Sequence, residues 1–151
     1  MIDPILRVVA GGLHRLMKIG WFVRRPRTFG AHAVAVTSRG TIVLVRLRYA
    51  PGWRLPGGGR KASEDAADAV IRELREEIGM TGHGEVRIAC ELEEAPDYRR
   101  DTASLLIVRD VEYSPRWSLE VEAVTEAAPD ALPDDLSAQT ARWLAAVRTM
   151  L

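Results

Sequence analysis

The sequence predicts a mixed α/β layer arrangement, and three observations predict it. Five stretches have strand composition: residues 28–37, 41–48, 85–93, 102–111 and 117–125. Two have helical pattern, residues 63–78 and 136–150, and they interrupt the strands irregularly, not as a regular βαβ series. The chain of 151 residues, 47% of them hydrophobic, is long enough to bury one real core.

From the N-terminus, Ile5, Val9, Leu13, Leu16 and Met17 recur at spacings of three and four, the mark of an amphipathic helix. Arg7, His14, Arg15 and Lys18 interrupt residues 5–23 too often for a membrane span or a signal peptide. The reading is a helix laid on the domain or on a second subunit, although Gly11 and Gly12 weaken it. The alternative is a helix at a membrane surface, since Arg7, Arg15, Lys18, Arg24, Arg25 and Arg27 make this region basic. Residues 1–27 are therefore read as an extension and 28–151 as the domain.

Residues 28–37 and 41–48 read as strands of one hairpin, turned at Ser38-Arg39-Gly40. Pro51, Gly52, Pro56, Gly57, Gly58 and Gly59 then make residues 49–59 a loop. The helix at 63–78 has Ser63 as its N-cap, Glu64 and Asp65 as first-turn acids and Gly79 just past its end. Loops follow the later strands at 94–101 and 113–116, and Pro129 and Pro133 bracket the approach to the last helix. In that helix Ala141, Leu144, Ala145 and Val147 are expected to face inward.

The 21 basic and 21 acidic residues cancel, which disfavours tracking along nucleic acid. With Cys90 alone, no intrachain disulfide or cysteine zinc cluster can form, and a cytoplasmic location fits. Membrane association is not expected, and a homodimer is an open option.

The chemistry concentrates in the central helix. At about 100° per residue, Ala67, Val70, Ile71 and Ile78 fall within roughly 60° of Leu74 and form the core stripe. Glu73, Glu76 and Glu77 gather on another side, where like charges repel by a few tenths of a kcal/mol per pair, that is about 0.2–0.5. Either Arg72 and Arg75 relieve a solvated acidic face, or the carboxylates await a hard divalent cation such as Mg²⁺ or Mn²⁺, which prefers oxygen ligands. Gly57-Gly58-Gly59 just upstream supplies backbone that can approach a ligand without a Cβ in the way.

Residues 58–80 resemble the signature box of the Nudix hydrolases: Gly58, Glu64, Arg72, Glu73, Leu74, Glu76, Glu77 and Gly79 all meet its spacing. Met80 stands where that family usually has Ile, Leu or Val. The resemblance implies a mixed β-sheet sandwiched between helices and a loop–helix–loop metal site. It implies Glu73, Glu76 and Glu77 as ligands of Mg²⁺ (or Mn²⁺), with the Gly57 carbonyl a further ligand. Glu64 would stabilise the site or support a metal-bound water, and Arg72 would orient a glutamate.

The activity so implied is hydrolysis of a nucleoside diphosphate linked to another group, the partner being a nucleotide-derived small molecule. Glu120 is the first candidate for general base, followed by Glu94, Asp97 and Asp101. Trp53, Tyr49 and Tyr98 are candidates to stack on a base; Arg46, Arg48, Arg54, Arg99 and Arg100 to meet phosphate. Gly58 joins Trp53, Arg54 and Tyr98 as an expected substrate contact. Pro96 resembles the downstream proline of ADP-ribose pyrophosphatases and Tyr98 the tyrosine of dinucleoside-polyphosphate hydrolases. ADP-ribose or a nucleotide-sugar is favoured, with (d)NTP or dinucleoside-polyphosphate hydrolysis, or nucleotide sensing without cleavage, as alternatives.

Overall fold

The computed structural model describes residues 3–24, 27–94 and 100–151. Chain order runs α1 (Asp3–Arg24), β1 (Arg27–Ala35), β2 (Ile42–Leu47), β3 (Trp53–Arg54), β4 (Gly57–Arg60), α2 (Ala66–Ile78) and β5 (Met80–Gly82). It continues through β6 (Val86–Glu94), β7 (Arg100–Val108), β8 (Glu112–Tyr113), β9 (Val121–Ala127) and α3 (Ala138–Val147), which ends in a 3₁₀ turn, Arg148–Met150.

Strand β1 organises the sheet because both of its edges are used. It pairs antiparallel with β4 and parallel with β7 along its full length, giving the order β4-β1-β7-β6. That leaves no edge for β2, and the expected hairpin between 28–37 and 41–48 is corrected accordingly. The turn itself closes, with Gly40 N–H donating to Thr37 O at 2.9 Å, but only the Val36–Ile42 bridge joins the strands. They then part, and β2 enters a second sheet of order β3-β2-β9.

Alternation along the central strands builds two cores, one on each side. Ala31, Ala33, Val43, Val45, Leu106 and Val108 face α2, meeting Val70, Leu74 and Ile78. Val34, Ile42, Leu44, Leu105 and Ile107 face the opposite way, meeting Trp143, Leu144 and Val147 of α3. Each fully buried aliphatic side chain contributes about 1.5–3 kcal/mol, so the mixed sheet held between α2 and α3 is fixed from both faces. In α3 the inward set is Thr140, Trp143, Leu144 and Val147; Ala141 and Ala145 are exposed, a correction of the expected face.

The glycine-rich stretch is not a plain loop. Its residues supply β3 and β4, and the β1 ladder compensates for what three consecutive glycines lose in packing. Helix α2 begins two residues later than expected, because Asp65 rather than Ser63 is its cap. The Asp65 carboxylate accepts Ala67 N–H at 2.8 Å and Asp68 N–H at 3.3 Å. Gly79, in the left-handed conformation, ends it.

Helix α1 forms and runs through Gly11 and Gly12, and the apolar face expected to lie on the domain or on a second subunit is turned away from the domain. Ile5, Val9, Leu13, Leu16 and Met17 are all exposed, as are Val8 and Ile19. Its polar side meets the domain instead: Arg7 pairs with Glu122 of β9, and the His14 ring stacks on Tyr49 at 5.2 Å.

Candidate active site

The three box carboxylates of α2 differ sharply in surroundings. The Glu76 side chain is 61% exposed and that of Glu73 13%, while residue Glu77 is 7% exposed. Glu77, about 60° from Leu74 on the helix, turns inward with Leu74 and Ile78, which corrects the expectation that all three acids share a side apart from the core stripe. There its Oε2 accepts the Gly57 amide N–H at 2.8 Å. Burial, opposed by that hydrogen bond and reinforced by Glu73, Glu120 and Glu76, pushes its carboxyl up to about 8. Burial likewise raises the Glu73 carboxyl, against the pull of Arg72.

Backbone without Cβ atoms makes this approach possible. A Cβ on Gly58 would lie 2.9 Å from the Glu73 carboxylate, and one on Gly57, at φ 146°, would lie 2.3 Å from Ala31 O. Arg72 ties the acids together. It donates to Glu73 Oε1 at 2.7 Å, to Glu64 Oε1 at 3.4 Å and to Gly59 O at 3.3 Å, and lies 3.8 Å from Glu76 Oε2. Glu64 also accepts Lys61 N–H at 3.2 Å, which fastens the loop before α2.

Among the described residues, no group of three or more His, Cys, Asp or Glu side chains is arranged ready to hold a metal ion. Glu73 is drawn to Arg72 and Glu77 to the Gly57 amide. The donor chemistry nevertheless fits a hard cation. Glu77 is buried and surrounded by Glu73, Glu76 and Glu120, so its ionised form lacks the positive charge that burial demands.

Glu64, Arg72, Glu77, Gly57, Gly58 and Arg54 line a cleft of about 1700 Å³. That is wider than a typical pocket of about 300–1,000 Å³. Glu120 is exposed, and its charge acts on Glu73, Glu77 and Tyr49, which brings this candidate base to the carboxylates. Burial, with Glu120 and Glu77 beside it, pushes the Tyr49 hydroxyl up to about 12.

Glu94 and Asp101 also line the cleft, each engaged by other partners. Glu94 accepts Gln139 at 2.6 Å, Trp143 Nε1 at 2.8 Å and Arg142 at 3.3 Å. Against partial burial these donors hold its carboxyl below the usual range, and they tie β6 to α3. Asp101 accepts Thr28 Oγ1 at 2.7 Å. Trp53 is not among the described residues lining the cleft: Arg46 covers its ring at 4.4 Å, and its backbone is clipped to Asp135 and Ser137. Pro96, Asp97, Tyr98 and Arg99 lie outside the described residues.

Sequence reasoning missed His32. It lines the cleft beside Glu94 and tilts against Trp143 at 4.6 Å, and burial lowers its pKa to about 4. The available signal was the alternation of β1, which sets His32 on the same face as Val34.

Comparison with known proteins adds family evidence. The family model for the NUDIX domain matches residues 26–147. A MutT NUDIX hydrolase from Burkholderia pseudomallei is 29% identical, with TM-score 0.68 over 81% of this chain and 98% of that one. A putative 8-oxo-dGTP diphosphatase of Bacillus subtilis is 38% identical over 52 residues, 34% of this chain and 35% of the relative. An RNA pyrophosphohydrolase of Gluconacetobacter diazotrophicus is 41% identical over 56 residues, 31% of this chain and 34% of the relative. The chain thus spans about a third of the length of these curated relatives.

Proposed function

Because the chain belongs to the NUDIX domain family, we propose that it is a divalent-metal-dependent hydrolase of a nucleoside diphosphate linked to another group. The observation that carries this reading is the buried Glu77 carboxylate, held by the Gly57 amide with Glu73 packed against Gly58 and Glu76 and Glu120 near by. Acids so placed repel one another and need a cation.

In this reading Glu73, Glu76 and Glu77 hold Mg²⁺ or Mn²⁺, with the Gly57 carbonyl as a further donor. A cation held there would supply charge neutralisation at phosphate and a more acidic water. Arg72 fixes the Glu73 carboxylate through its 2.7 Å hydrogen bond and connects it to Glu64. The Glu120 carboxylate takes the proton of the attacking water, and Arg54 and Gly58 border the substrate. Residues 28–151 make up the hydrolase domain and 1–27 an extension to it.

For the substrate, the cues at Pro96 and Tyr98 favour ADP-ribose-like and dinucleoside compounds. The names of two curated relatives, a putative 8-oxo-dGTP diphosphatase and an RNA pyrophosphohydrolase, bring 8-oxo-dGTP and RNA alongside them. Incubation with ADP-ribose, a nucleotide-sugar, dGTP, 8-oxo-dGTP, a dinucleoside polyphosphate and a 5′-triphosphorylated RNA, each with Mg²⁺ or Mn²⁺ or with chelator, tests the reading. Metal-dependent products whose masses show an opened anhydride are expected, with ¹⁸O from labelled water marking the attacked phosphorus. Absence of cleavage across the panel overturns it. Glu120→Gln is expected to depress turnover at saturating substrate, and a normal rate removes Glu120 as base.

A further inference from the structure

Helix α1 is folded onto the domain by the side that amphipathic helices usually give to solvent. At about 100° per residue, Val8, Ile19, Ile5, Leu16, Val9, Leu13 and Met17 cover an arc of about 180°. All seven are between 46% and 75% exposed. The opposite arc holds His14, Arg7 and Lys18, and these meet the domain through Tyr49, Glu122 and the rim of the cleft. The result is an outward apolar face on a helix of 22 residues.

Two quantities decide what covers it. Residues 1–27 carry six cationic side chains against Asp3 alone, a net +5, so residues 28–151 carry −5 to reach the chain's zero. Two such helices face to face would repel. A helix face about 33 Å long and ~10 Å wide also offers much less than the ~800 Å² per partner of a stable protein interface. An anionic lipid surface has neither difficulty. It accepts the apolar arc among its acyl chains, attracts the basic segment and leaves the acidic domain turned toward water. Exposed Arg15 lies at the edge of the arc, beside Val8, where a cation reaches headgroups while its neighbours insert. Among the described residues no helix is long and apolar enough to cross a membrane, so the contact is one of lying on the surface.

We propose that α1 is an interfacial helix that seats this protein on anionic membranes through the face formed by Ile5, Val8, Val9, Leu13, Leu16 and Ile19. The test is co-sedimentation of the full chain with vesicles of phosphatidylcholine mixed with phosphatidylglycerol, and with vesicles of phosphatidylcholine alone. At least about tenfold more protein is expected on the anionic vesicles, declining with added salt. The double substitution Leu13→Glu, Leu16→Glu is expected to release it while the thermal unfolding of the domain stays unchanged. If that variant folds poorly, Val9→Ser and Arg15→Glu serve instead, each weakening retention. Three results overturn the proposal: no retention on anionic vesicles, equal retention of the parent and the folded variants, or a stable dimer in sedimentation velocity that the double variant dissociates. The last assigns the face to a second copy.

Discussion

Helices α1 and α2 are both amphipathic, and the fold uses them in opposite senses. In α2 the apolar stripe of Val70, Leu74 and Ile78 is fully buried against the sheet. In α1 Leu13 and Leu16 remain more than 60% exposed while Arg7 and His14 touch the domain. Periodicity thus tells that a helix has two faces, but not which one the molecule covers. The difference also sets the chemistry. Because the stripe of α2 is sealed, Glu77 is carried below the surface along with it, and a carboxylate there has a use for a cation that an exposed one lacks.

The comparison can be broken or sharpened in five ways. The largest effect is expected from Glu77→Gln, which keeps an acceptor for the Gly57 amide and removes the charge. Metal-dependent turnover should fall about a thousandfold, equivalent to ~4 kcal/mol of barrier, with circular dichroism unchanged. Leu74→Ala should cost about 3 kcal/mol in urea unfolding, since this side chain is wholly buried. Arg72→Lys, which cannot reach Glu73, Glu64 and Gly59 with one planar fork, should lower kcat about tenfold with little change in thermal stability.

The pH dependence is next. Glu77 has its ordinary carboxyl value of 4.5 when unfolded, and about 8 when folded without metal. Between these limits the folded chain keeps a proton that the unfolded chain has released. Its contribution to metal-free stability is therefore full below pH 4.5 and is lost as the pH rises through about 8. A cation takes the ionised form, so the gap in Tm with and without Mn²⁺ should widen toward alkaline pH, and a constant gap contradicts the assignment. Leu13→Ala closes the series. On the outward face of α1 it should change stability by no more than about 0.5 kcal/mol, and a loss like that of Leu74→Ala would show that α1 is covered in solution.

What was legible in the sequence was local. Gly58, Glu64, Arg72 and the carboxylates lie within one loop and one helix, so fixed spacing and a single helical period place them together. Asp65 and Ser63 are both capping residues two positions apart, and only the backbone geometry chooses Asp65. The hairpin reading failed because nothing in residues 28–48 tells that β1 has given both edges to partners further along the chain. The junction of Glu94 with Gln139, Arg142 and Trp143 joins residues more than forty positions apart, beyond any local pattern. Tyr49 and Glu120 meet the carboxylates in the same nonlocal way.

That parallel pairing of β1 with β7 governs how the protein is made. Arg27 and Arg100 are register partners, as are Ala35 and Val108, so the middle of the four-stranded sheet cannot close until the chain has been made through Val108, 73 residues beyond Ala35. At ~5–20 residues per second the delay is about 4–15 s, during which β1 waits with its longer edge bare. Slowed translation after β4 lengthens that wait and should favour aggregation of the nascent chain, whereas fast synthesis through Val108 shortens it.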